Sequence, residues 1–202
     1  RKAFLNAPAI DDSDEILPYR VAAWGTILGW LTLGFWLSAT GIPPAMVVVF
    51  LLATFVIFIG LTRIGAESGM AEAVASTIGS SFVISGFGAN ALGAEGLTAM
   101  GLTYVWSADI RTFVMASAAN GLKVLEREQR HKRPLFWAMM LAVIVCMVSS
   151  LWMLLVLSYT HGGINGNDWF YSGGARAPYN YIITLLIQPP DVNWFGWWMK
   201  GL

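Results

Sequence analysis

Charge is what this sequence has least of. Only 12% of its 202 residues are Asp, Glu, Lys or Arg, roughly half the share of an ordinary soluble domain. Between Arg20 and Arg63 lie 42 consecutive residues with no formal charge at all. Cysteine is nearly absent too: Cys146 stands alone inside an apolar run, which excludes an internal disulfide and a cysteine-based metal cluster. The two histidines, His131 and His161, fall on opposite predicted faces, so no metal or haem ligand pair forms and no cofactor is expected. There is no excess of basic residues, 12 against 12 acidic, and a nucleic-acid partner is thereby disfavoured. Residues 1–20 lack the short apolar core of a secretory signal peptide. No nucleophile–base pair can be picked out, so the chain does not read as an enzyme.

What is present is apolar bulk. Hydrophobic residues make up 56% of the chain, with ten Trp, nine Met and 21 Gly, and mean hydropathy is +0.61. A water-soluble core of this length cannot absorb that surface, and the expected class is an all-α integral membrane protein, a multi-span helical bundle. The chain starts without Met and stops inside an aromatic stretch at 193–199, as expected of part of a longer polypeptide.

Residues 1–20 read as a cytoplasmic acidic segment, followed by a transmembrane hairpin over 21–62. The uncharged stretch is too long for one crossing, since the hydrocarbon core needs about 20 helical residues. Gly41-Ile42-Pro43-Pro44 divides it into helices at 21–39 and 45–62, because proline lacks an N–H and restrains the residue before it. Gly25 and Gly29 form a step that admits a close-packed partner helix. A third span follows Pro134 and runs to Thr160. Arg1, Lys2, Arg20, Arg63, Lys123, Arg127, Arg130, Lys132 and Arg133 then share one side, which the positive-inside rule assigns to the cytoplasm. That places the protein in a prokaryotic inner membrane, with basic loops cytoplasmic.

The segment 63–108 does not read as an ordinary span. The 13 uncharged residues 96–108 make about 20 Å of helix, and 73–84 is similarly short before the Gly-rich interruption at 85–93. Two short helices meeting at such a break describe a re-entrant or broken-helix hairpin, with a pair of tilted full spans as the alternative. Irregular backbone at membrane depth survives only where protein or a watery cavity covers it, and in secondary transporters such breaks often hold the substrate. Arg63 and Glu67 share a helix face and can pair, as a structural ion pair or a functional one. Glu72 and Glu95 are the acids best placed for proton or cation coupling. The candidate substrate- or ion-binding residues are therefore Arg63, Glu67, Glu72, Asn90 and Glu95, with binding near 85–93. The glycines of 86–91 superficially match a dinucleotide fingerprint, but that motif has meaning only inside a βαβ unit.

Residues 109–133 fit a cytoplasmic amphipathic helix with Ile110, Phe113, Val114, Leu122 and Leu125 on one face. An external loop with a short helix occupies 161–191, where Trp169, Phe170 and Tyr171 suit the headgroup belt. A further span begins at 192–202. The expected partners are membrane lipid, other transmembrane helices or subunits, and a small solute or peptide.

Several runs also carry a likeness. Asp11-Asp12-Ser13-Asp14-Glu15, Leu61-Thr62-Arg63-Ile64-Gly65-Ala66-Glu67-Ser68-Gly69 and Ala91-Leu92-Gly93 are of this kind, as are Gly163-Ile164-Asn165, Trp169-Phe170 and Arg176-Ala177-Pro178. In order along nearly the whole chain, they resemble the C-terminal part of a little-characterised family of large prokaryotic multi-pass membrane proteins. Its members are labelled peptide-transporter-like, with a relation to oligopeptide transporters. The family pattern reads Thr-Arg-Ile-x-Ala-Glu-Ala/Gly-Gly-Leu-Pro, whereas here Ser68-Gly69 is followed by Met70-Ala71 without proline. The resemblance implies transport of a small solute or peptide. From a different class, an accessory subunit bracing a respiratory or photosynthetic complex fits the same composition.

Overall fold

The computed structural model describes residues 15–68, 77–107, 114–125 and 133–201. Every regular element among them is helical: α1 (Tyr19–Ala39), α2 (Pro44–Ser68), α3 (Gly79–Phe87), α4 (Gly93–Leu102), α5 (Tyr104–Ser107), α6 (Val114–Leu125), α7 (Arg133–Leu157), α8 (Gly174–Ile187) and α9 (Trp194–Gly201). They group into two compact units, one drawn from 1–29 and 125–174, the other from 30–124 and 175–202. Among the described residues, three helices are long and apolar enough to cross a membrane: Tyr19–Ala39, Pro44–Ser68 and Pro134–Gly162.

The uncharged stretch folds as two helices about the Gly41-Ile42-Pro43 turn. Pro44 opens α2, where its missing N–H would have no intrahelical partner. Gly41 has φ 100°, a left-handed conformation that a side chain resists. At Gly25 and Gly29 a β-carbon would meet nothing within 4 Å among the described residues.

In the unit built from 30–124 and 175–202, the core forms where the first half of α2 meets α3 and α4. Phe50, Val83 and Met100 are fully buried, joined by Leu37, Ile42, Val47 and Leu97. Small residues set the closeness of these helices. A β-carbon added at Gly79 would collide with Thr54, one at Gly86 with Trp197 of α9, and one at Gly101 with Ile182 of α8. Without glycine the backbones would stand further apart. Asn193 caps α9, its Oδ1 accepting from the N–H of Gly196 at 2.7 Å, the usual work of an N-cap.

Three contacts orient the short-helix hairpin along α2. Gly79, at the start of α3, meets Phe50 and Thr54. Trp106, near the end of α5, sits edge-on to the same Phe50, with ring centroids 5.7 Å apart. Glu95 and Gly96, at the start of α4, meet Gly41 and Pro43. The hairpin tip therefore lies beside the α1–α2 turn, and its two feet lie near Phe50 and Thr54, about 9 to 15 Å along α2 from Pro44 at 1.5 Å per residue. The break is also shorter than its glycine content suggests. Ser85, Gly86 and Phe87 stay helical, and only 88–92 leave the helix, with Gly88 and Gly93 at φ 77° and 67°. Residues 69–76 and 108–113, which lead into and out of the hairpin, lie outside the described residues.

Of the amphipathic segment expected over 109–133, α6 covers the described part; 126–132 lie outside it, as do 1–14 of the acidic segment. In the other unit, α7 has no buried residue among those described. It continues as a π turn, Ser158–Gly162, and a short 3-10 turn, Gly163–Asn165. The expected external loop is more ordered than its turn formers suggest. Trp169, Phe170 and Tyr171 lie in a second π turn that leads directly into the 14-residue α8.

Candidate functional site

Glu95 occupies the first turn of α4, where the positive end of the helix dipole favours a carboxylate. The turn at Gly41 leaves it room: a β-carbon there would stand 3.3 Å from the Glu95 β-carbon and 3.6 Å from its Oε2. Glu95 is exposed and lines a cleft of about 680 Å³ with Trp36, Leu37, Thr40, Thr98 and Trp106. The hydroxyls of Thr40 and Thr98 donate to the carbonyls of Leu37 and Ala94, at 2.7 and 2.8 Å. Their donor capacity is thus spent on their own helices. Among the described residues nothing bonds or ion-pairs with the Glu95 carboxylate, which is the charged group on a mostly apolar lining.

Asn90 lies in the break and is exposed. Two backbone groups of the break are engaged. The N–H of Ala89 donates to the Pro190 carbonyl and the N–H of Asn193 to the Ser85 carbonyl, each at 3.1 Å. The segment after α8 thereby satisfies groups that a helix break leaves free.

Arg63 and Glu67 do pair, Nη2 and Nε reaching Oε1 at 2.9 and 3.1 Å. Both are well exposed, at 72% and 65%. They sit near the far end of α2, about 28 Å from Pro44 by helical rise. The fold thus brings Asn90 and Glu95 to one end of α2 and keeps Arg63 and Glu67 at the other. Glu72 lies outside the described residues. The cleft partners Trp36, Thr40, Thr98 and Trp106 were missed from sequence. Thr98 was within reach of that reading, three residues after Glu95 and so on its helix face.

Outside the three long apolar helices, burial pushes the Tyr181 phenol on α8 above its ordinary pKa, and a hydrogen bond with Ser81 opposes the shift. His161 is held locally: its Nδ1 lies 2.8 Å from the Thr160 hydroxyl, and its carbonyl accepts from Asn165 at 2.9 Å. Among the described residues no three His, Cys, Asp or Glu side chains gather as a metal site.

Comparison with curated proteins and with solved structures yields no match to either. A family profile does match, and over the whole chain: residues 1–202 fit the Family of unknown function (DUF6785), and the protein belongs to that family.

Proposed function

We propose that the chain is part of an integral membrane protein of transporter type, moving a small solute or peptide with proton or sodium coupling. The observation that carries this reading is the exposed Glu95 carboxylate, unpaired among the described residues, on a mostly apolar cleft beside a short-helix hairpin. A coupling site needs a titratable or cation-binding group that water can reach, and Glu95 meets that need. Membrane insertion is supported by α7, whose Trp137, Leu141, Val148, Leu151 and Trp152 are all more than half exposed. An apolar surface that continuous is not left to water by soluble monomers, whereas lipid accepts it. The basic residues favour a prokaryotic inner membrane with Arg63 on the cytoplasmic side.

A second reading, an accessory subunit of a larger membrane complex, is favoured by the same α7. With no buried residue along its length, it offers a whole helix to a neighbouring subunit. The two readings part at Glu95. Single cysteines at Asn90 and Glu95, in a Cys146→Ser background and in intact membranes, are treated with a membrane-impermeant maleimide, with and without a dipeptide mixture. Labelling that the peptides suppress is the expected result. Protection of both positions, while a cysteine at Thr160 labels normally, would leave the accessory reading standing.

A further inference from the structure

The cleft beside the α1–α2 turn has a chemical preference that goes beyond its one charge. Thr40, Thr98 and Thr103 all line it. Each spends its hydroxyl hydrogen on a carbonyl three or four residues back, those of Leu37, Ala94 and Met100, at 2.7, 2.8 and 2.6 Å. A hydroxyl oxygen that donates in this way can still accept. To a ligand these threonines therefore offer acceptors, as the Glu95 carboxylate does. Two indoles, Trp36 and Trp106, share the wall, and the face of an indole attracts a cation.

Charge and apolar surface are also ordered along the cleft. Glu95 stands at the turn, its Oε2 3.6 Å from where a Gly41 β-carbon would be. Trp36 and Thr40 are four residues apart near the end of α1 and so share a helix face. Leu102 ends α4, about 10 Å from Glu95 by helical rise. Trp106 meets Phe50 with ring centroids 5.7 Å apart, about 9 Å along α2 from Pro44. The volume of about 680 Å³ is in the range of sites for small organic molecules. We propose that this cleft binds a primary ammonium group carried on an apolar body, with the ammonium at Glu95, Thr40 and Trp36 and the body against Leu102 and Trp106.

Other ligands use the lining less well. An anion would meet the Glu95 charge, and a neutral solute would leave that charge without a counterpart. A metal ion would have no use for the indoles and the aliphatic wall, and among the described residues no three His, Cys, Asp or Glu side chains gather to hold one. A quaternary ammonium would suit the indoles but bring no N–H to the oxygens of Glu95 and Thr40. The site deepens the transporter reading by naming the ammonium end of the moved solute, and it rests on that reading for translocation but not for binding. A phosphatidylethanolamine headgroup carries the same primary ammonium as a free amine, and the two sources part in solution.

Phenethylamine, protonated at neutral pH, and its neutral isostere 2-phenylethanol test the site. Saturation-transfer NMR on the full chain in phosphatidylcholine nanodiscs, with empty nanodiscs subtracted, should show saturable phenethylamine binding, with 2-phenylethanol at least about tenfold weaker. Glu95→Gln keeps the size of an exposed side chain and should weaken the amine by about tenfold or more, the loss of a hydrogen bond to a charge. Trp36→Leu should weaken it about threefold, the scale of an exposed cation–π contact, while Trp36→Phe keeps most of the affinity. Absence of saturable amine binding, equal binding of the alcohol, or unchanged affinity in a Glu95→Gln variant that melts like the parent would overturn the site. Phosphatidylethanolamine nanodiscs identify the source: lowered phenethylamine affinity there assigns the ammonium to the lipid headgroup, and unchanged affinity assigns it to a free amine. Dipeptide uptake into proteoliposomes under a proton or sodium gradient is scored separately. Amine binding without uptake removes the transporter reading and keeps the site, and uptake without amine binding does the reverse.

Discussion

The hydroxyl of Thr54 occupies the space in which a β-carbon on Gly79 would stand. One contact thus does two things: it sets how closely α3 approaches α2, and it holds a hydroxyl against the first residue of α3. Gly79→Ala must displace that hydroxyl and press on the Phe50 ring, 3.2 Å from the new methyl. Overpacking of this kind destabilises by about 1–3 kcal/mol. Removing the obstacle with Thr54→Ala should recover much of the loss in the double variant. Thermal melts of the two single variants and the pair read this as a coupling energy, and strictly additive losses would show that the contact is not formed.

Trp197 offers a test of the other side of α3. Its indole covers Gly86, the two ring centroids of Trp197 and Phe82 lie 5.3 Å apart, and its Nε1 is buried with no partner among the described residues. Trp197→Phe keeps most of the packing and removes the unpaired donor, a change that can be close to neutral. Trp197→Ala opens a cavity and should cost about 3–5 kcal/mol. Melts that drop equally for the two variants would mean that the N–H is satisfied in solution.

Much of this arrangement was legible in the sequence and some was not. The α1–α2 hairpin followed from an uncharged stretch divided by Gly41 and two prolines, signals that act locally and need no knowledge of neighbours. The Arg63–Glu67 pair followed from helical spacing alone. Glu95 was chosen for its charge, and its place on a cleft with Trp36 and Thr40 depends on α4 folding back to the α1–α2 turn, which no local pattern encodes. The break drew attention because glycine marks irregular backbone. Two of its backbone groups, the Ala89 N–H and the Ser85 carbonyl, are engaged by Pro190 and Asn193, a hundred residues away, while the hydroxyls with no partner among the described residues stand at Thr54, Ser80 and Ser107. Serine and threonine inside apolar helices usually bond their own carbonyls, as Thr62 and Ser149 do here. Only packing distinguishes the ones that do not.

Glu67→Gln removes one charge of an i, i+4 pair that is largely exposed. Exposed pairs on a helix contribute no more than about 0.5 kcal/mol, and salt screens them further. The variant should therefore melt within a degree or two of the parent, at low salt and at high. A transport rate that falls sharply against that unchanged melt would give the pair a functional role, and an unchanged rate would make it a surface ion pair.

The contact between Gly41 and Glu95 fixes a sidedness that labelling can read. If α2 crosses the bilayer, the hairpin tip emerges with the α1–α2 turn, on the side opposite Arg63. Cysteines placed at Thr40, Asn90 and Glu95, each in the Cys146→Ser background, should then react with an impermeant maleimide from one face only. A cysteine at Arg63 should react from the other. A hairpin that entered from the cytoplasmic side and turned back halfway would give a different pattern, with Asn90 and Glu95 reached from the Arg63 side or from neither. The distinction bears on coupling, because an ion meeting Glu95 would come from the compartment that holds the turn. It would have to pass the feet of the hairpin at Thr54 and Ser80 to reach the other side.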